Sequence, residues 1–188
     1  MPKFVADSSV SPTGLKWAAP SSGSYTQLAT GSLSGTLTLS SISADYRDLV
    51  LVISNATWPT SFAQFAFRYN GNTTANAYKT LLSGAYGTSG TAQTTYTWSE
   101  TNSYNRVYIN GEWNYTGGKN HQVLTIKDYA TAKYPIIEYQ AAYENNQNFI
   151  TFTYGAFTAN IEAAINQIDV FMTSFTFNGG SYTLYGVK

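Results

Sequence analysis

The chain contains no cysteine. A disulfide framework and thiolate chemistry are therefore both excluded. Charge is scarce as well. Asp, Glu, Lys and Arg make up 11% of 188 residues and cancel to a net charge of zero, where about a quarter is usual. A neutral surface draws neither nucleic acid nor an anionic membrane by electrostatics. Histidine occurs once, as His121, in a Gly-Gly-Lys-Asn-His stretch that reads as a loop. A zinc site there would lack nitrogen and sulfur partners. A serine triad could use this ring, but no G-x-S-x-G elbow accompanies it. Calcium wants clustered carboxylates, whereas Asn70-Gly71-Asn72 and the Asn/Gln run at 145–148 offer amide oxygens only. No cofactor and no metal are expected. Long apolar runs are missing too: the only five consecutive bulky aliphatics are residues 49–53, far short of a membrane span. Residues 1–10 hold no apolar core with a cleavage site, so folding in a cytosol is expected.

What the chain does have is aromatics, 16% of residues with 16 tyrosines, spread through short alternating stretches. Residues 45–54, built on Leu49-Val50-Leu51-Val52-Ile53, read as a central strand covered on both faces, or nearly so. Leu33, Leu37 and Leu39 alternate with small polar residues around Gly35. Phe65, Phe67 and Tyr69 lead into Asn70-Gly71. Residues 106–109 lead into Asn110-Gly111, and Phe175-Thr176-Phe177 into Asn178-Gly179-Gly180. Asn-Gly supplies the positive φ angles of tight hairpins, so three hairpins are predicted. Residues 123–126, 136–143 and 149–154 are further strands, with Ile137, Tyr139 and Ala141 on one face. Residues 83–93, rich in glycine, read as an exposed loop, and 161–164 as one weak helical turn. Nine to ten short strands in one domain predict an all-β, antiparallel β-sandwich, jelly-roll-like, with an up-and-down barrel as the second choice.

Residues 1–24 differ from the remainder. Pro2, Pro12 and Pro20 break regular structure, yet Phe4, Val5, Leu15 and Trp17 are apolar, which is unusual for a plain tail. The division predicted is 1–24 as an extended arm and 25–188 as the β-sandwich domain. The arm either tucks against its own domain or docks on another subunit through Phe4, Leu15 and Trp17.

Catalysis has thin support. The carboxylate pairs Asp45/Asp48, Glu138/Glu144 and Asp128/Glu162 would have to flank a sugar bond at about 5–10 Å, and nothing in their spacing places them so. An enzyme is not expected. Tyr78, Tyr86, Tyr96, Tyr104, Tyr129, Tyr134, Tyr139 and Tyr143 exceed the needs of a small core. They line half-buried sheet faces, or some of them form subunit contacts or a sugar-binding shelf.

Four segments of the chain carry a resemblance. The opening VADSSVSPTGLKWAAP (residues 5–20), the segments SADYRDLVLVI (43–53) and RYNGNTTANAY (68–78), and the closing FNGGSYTLYGV (177–187) resemble tail-fibre and other virion proteins of tailed bacteriophages. Residues 82–171 match none of that pattern. The resemblance implies a virion component, trimeric, in contact with other capsid or tail proteins and assembled in the host bacterial cytoplasm. An arm of about 24 residues reaches at most roughly 80 Å, so a compact knob decorating (cementing) the capsid is expected rather than a long fibre. The alternative is a tail-fibre or receptor-binding module that recognises a host-surface glycan. Neither nucleic acid nor membrane insertion is expected of either.

Overall fold

The computed structural model describes residues 24–59, 64–87, 94–107, 120–144 and 150–188, without the side chains of 86, 94–96 and 98. The chain forms β1 (Tyr25–Ser32), β2 (Leu37–Leu39), β3 (Asp48–Thr57), β4 (Phe65–Tyr69), β5 (Tyr78–Gly87) and β6 (Thr94–Asn102). It continues through β7 (Asn105–Arg106), β8 (Asn120–Ile126), β9 (Ile136–Glu144), β10 (Ile150–Ala159), β11 (Ile168–Met172) and β12 (Gly179–Val187). No helix occurs among the described residues.

The pairing is nested. β1 pairs with β12, β2 with β11, β3 with β8, and β4 with β7, all antiparallel. The chain is thus one long hairpin whose successive strand pairs fall alternately into two sheets. Lateral pairing of β12 with β3 and of β11 with β4 completes each sheet. This is the jelly roll, the wound-up double-sheet arrangement of eight strands. Two further hairpins widen one sheet only: β5–β6, inserted between β4 and β7, and β9–β10, between β8 and β11. The larger sheet runs β1-β12-β3-β8-β9-β10-β5-β6 and the smaller β2-β11-β4-β7.

The core lies between the sheets. Phe67 of β4 meets Tyr139 of β9 and Phe157 of β10 at centroid distances of 6.1 and 5.9 Å, and those two rings stack at 5.1 Å. Trp58, Phe65 and Phe177 form a second aromatic group. Each ring removes a large apolar area from water and fixes the spacing of the layers.

Several expectations need correction. β3 is not covered on both faces. Leu49, Leu51 and Ile53 are fully buried, but Val50 and Val52 face outward and are half-buried. The run of aliphatics marks one core face plus a partly apolar outer face. Asn70-Gly71 does make a tight turn, with φ of 52° and 62° and an Asn72 N–H donated to the Tyr69 carbonyl. It joins two different sheets, however, and is no hairpin. Asn178-Gly179-Gly180 likewise leads from the smaller sheet into β12 of the larger one. The third predicted hairpin, with Asn110-Gly111, lies outside the described residues. Residues 83–87 belong to β5 rather than a loop, because β10 and β6 pair with them on both sides. Residues 161–164 form no helical turn, and the described strands number twelve rather than nine or ten. The face of β9 is as expected: Ile137, Tyr139 and Ala141 are buried together.

Candidate functional site

The feature that sequence polarity would not lead one to expect sits on β10. Strand alternation puts Ile150, Phe152, Tyr154 and Ala156 on one face and Thr151 and Thr153 on the other. The hydroxyl residues are the buried ones, at 3% and 0% exposure, while Ile150, Phe152 and Tyr154 are 70%, 47% and 51% exposed. From Phe157 onward the ordinary sense returns, with Phe157 and Ala159 buried. Scattered exposed apolar residues are ordinary, but a row of them opposite buried threonines is informative. The Phe152 and Tyr154 rings lie 5.9 Å apart at 31°, a nearly continuous aromatic surface.

Register builds a groove around this strand. Ala156 sits between Leu81 of β5 and Glu138 of β9; Thr158 sits between Lys79 and Ile136; Tyr154 sits between Ser83 and Gln140. Small side chains at 156 and 158 make a floor. The larger side chains of β5 and β9 make walls, about 10 Å apart across two strand spacings. Leu81 and Ile136 are 56% and 62% exposed. Two hollows follow the floor, of about 550 Å³ over Ala156, Leu81 and Tyr154 and about 440 Å³ over Thr158, Asn160 and Tyr134. From Tyr154 to Asn160 the floor runs six residues, roughly 20 Å.

Gly155, on the inward face beneath the floor, brings β10 close to β5. A Cβ there would collide with the Leu81 carbonyl oxygen and lie 2.9 Å from Leu82 Cα, so β10 approaches β5 in a way only glycine permits. From beneath, Asn105 of β7 is fully buried and aims Nδ2 at the Lys79 carbonyl (2.9 Å), Thr80 Oγ1 (3.2 Å) and the Thr158 carbonyl (3.3 Å). One amide of the smaller sheet thereby ties together the two strands under the groove.

The far end is closed by the loops after β8 and β10. The Tyr134 hydroxyl donates to Glu162 Oε1 at 2.7 Å, and the Ile165 N–H donates to the Tyr129 carbonyl at 2.9 Å. The Glu162 hydrogen bond and charge raise the Tyr134 pKa above its ordinary value. Opposite it, Asn160 donates its N–H to the Ala77 carbonyl at 2.6 Å, beside Asn76 in the left-handed region at φ 61°. The groove therefore presents an aromatic ring at each end, with amide side chains (Asn76, Asn160, Gln140) along its rim. Its lining carries one cation, Lys79, and one anion, Glu138.

On the same outer face, nearer β3, a third hollow of about 330 Å³ includes Asp48. Burial pushes its carboxyl up, but hydrogen bonds from Arg47 and the Asp128 N–H, together with the charges of Arg47 and Lys127, more than offset this and hold it below its ordinary value. Arg47 Nη2 lies 2.9 Å and Lys127 Nζ 3.7 Å from Asp48 Oδ2.

The residues singled out from sequence fall as follows. Phe4, Leu15 and Trp17 lie outside the described residues. His121 is on β8, not in a loop; it is exposed, with Nδ1 2.9 Å from Ser54 Oγ. Glu138 and Glu144 share the outer face of β9 six positions apart. That is roughly 20 Å along a strand, too far to flank one glycosidic bond. Asp45 accepts from Ser43, and Asp48 is held by Arg47. Among the described residues no three His, Asp or Glu side chains are grouped so as to hold a metal. Tyr78, Tyr129 and Tyr139 are core, and Tyr134 is exposed in the groove. Sequence reasoning did not single out Tyr154 or Asn105. The alternation of residues 149–154 is visible in the sequence, but which face points out is not. Asn105 carries no sequence signal.

No described helix is long and apolar enough to cross a membrane. Compared with family models, curated proteins and solved structures, the chain matches none.

Proposed function

We propose that the protein is a structural component of a tailed-phage virion: a trimeric knob, docked through residues 1–24 and decorating the capsid surface. The observation that carries this reading is the nested jelly-roll pairing in a chain whose opening and closing segments resemble phage virion proteins. The jelly roll is an architecture of viral capsid and lectin domains. The low charge and abundant tyrosine suit surfaces that pack against neighbours. Antibody raised against the protein and applied to intact particles tests the reading, with label expected on the head. Label on the tail moves the protein to the receptor-binding alternative, and particles without label overturn the virion assignment. Sedimentation equilibrium is expected to give three times the 20.6 kDa chain mass. The receptor-binding alternative has one structural observation in its favour, the amphipathic groove along β10.

A further inference from the structure

We infer that the groove along β10 is a carbohydrate site, and that it takes a neutral, unbranched chain of pyranose sugars. This goes beyond placing the protein on a particle and stands on the groove alone.

The first ground is shape. The floor over Ala156 and Thr158 is about 10 Å between flanking strands and roughly 20 Å long, open to solvent along its length. A linear chain of several sugar rings fits such a trough, whereas a folded protein partner needs a broad face of about 800 Å². The second ground is the pairing of ring and amide. A pyranose is amphipathic, with C–H patches on its faces and hydroxyls around its rim. Tyr134 and Tyr154 supply aromatic surface at the two ends of the trough, and tyrosine combines an apolar face with a polar tip. Asn76, Asn160 and Gln140 supply side-chain amides, each offering both donors and acceptors, which match neighbouring hydroxyls that need both. The third ground is charge. Lys79 and Glu138 balance in the lining and Glu162 stands beside Tyr134 at one end, so an acidic polysaccharide gains no net attraction there. The fourth is positional rigidity. Tyr134 is held by Glu162, and the floor strands are tied from below by Asn105. A site held this way loses little freedom on binding. The inversion of β10, with apolar groups out and threonines in, is the kind of local rule-breaking that functional sites show.

The test is isothermal titration calorimetry on the full chain with linear hexasaccharides of glucose, mannose, galactose and N-acetylglucosamine, and with oligogalacturonate as the acidic probe. At least one neutral hexasaccharide is expected to bind with a Kd below about 10 mM, and more tightly than the acidic probe. Tyr134→Ala and Tyr154→Ala are each expected to weaken it about tenfold with unchanged melting, since both rings are about half exposed. Thr158→Arg, which fills the floor, is expected to abolish it. The inference is overturned if no neutral probe binds, if the acidic probe binds best, or if binding survives all three substitutions. It is also overturned if the substitutions leave sugar binding intact and alter self-association instead, which would make the groove a subunit contact. Sugar binding adds support to the receptor-binding alternative, but only the antibody label decides whether the protein is on a particle, so this inference and the virion reading fail separately.

Discussion

The jelly-roll body and the first half of the inserted strand β10 obey different rules. In the body, β3 sends Leu49, Leu51 and Ile53 fully into the core, and the smaller sheet lies over them. In the inserted part, β10 follows this rule from Phe157, which Phe67 of the smaller sheet reaches, to Ala159. In its first half it turns threonines inward and Ile150, Phe152 and Tyr154 outward. Hydrophobic burial specifies the body and reaches the inserted strands at Leu82, Tyr139 and Phe157, while the first half of β10 builds a surface. A fold already closed by its nested hairpin can carry such a surface, because its stability does not depend on burying it.

Five substitutions break or sharpen this contrast. The largest effect is expected at β3. Leu51→Asp puts a carboxylate into the core at several kcal/mol, against a total stability of about 5–15 kcal/mol, and the protein should not fold. Val52→Asp, one residue on but facing out, should cost only about 1 kcal/mol. Circular dichroism melts of the two variants check the pair, and equal behaviour would erase the distinction between the faces.

Next is Gly155→Ala, which forces a methyl against the backbone of Leu81 and Leu82. Overpacking of this kind costs about 3 kcal/mol, read by urea denaturation. A variant as stable as the parent would mean that β10 and β5 separate easily.

Third is Asp48→Asn, expected to cost about 1.5 kcal/mol at neutral pH through the loss of charge-assisted hydrogen bonds. The folded pKa of Asp48 is lowered from 3.8. Its contribution is therefore present above the unfolded value and lost as pH falls through the folded one. The parent should lose stability in acid below about pH 4, and the variant should show a shallower acid limb in the same titration.

The smallest effect is expected at Tyr69. Its ring is fully buried, its hydroxyl has no hydrogen-bond partner among the described residues, and burial pushes its pKa well above the usual value. Tyr69→Phe removes an unsatisfied group, so its stability should lie within about 0.5 kcal/mol of the parent or above it. A clear loss in denaturant would show that the hydroxyl is satisfied after all.

How much of this was legible in the sequence follows from the range of each signal. The five aliphatics at 49–53 announced a strand. They could not say that only one sheet covers it, because Val50 and Val52 are as apolar as their neighbours. Asn70-Gly71 announced a tight turn correctly, since positive φ is a local demand. Which strands a turn joins is decided by the nested pairing, and there the hairpin reading failed. β5 was misread over residues 83–87 because Gly84 and Gly87 weaken strand propensity, while cross-strand pairing on both sides overrides it. The groove was the least legible part. Tyr134 stood out as one tyrosine among many, and the period of β10 was plain. Its orientation depends on what lies above and below the sheet, and Asn105 acts through tertiary contacts alone.

The inverted face of β10 is the claim on which the groove rests, and the absence of cysteine makes it directly measurable. Single-cysteine variants Thr153→Cys and Tyr154→Cys each carry one thiol in an otherwise thiol-free chain. Their rates of reaction with a thiol reagent under native conditions report which side chain meets water. The account predicts that the Tyr154→Cys thiol reacts at a rate close to that of the denatured chain, while the Thr153→Cys thiol is protected at least about a hundredfold, the opening of a core position being set by unfolding. Fast labelling at 153 with protection at 154 would contradict it.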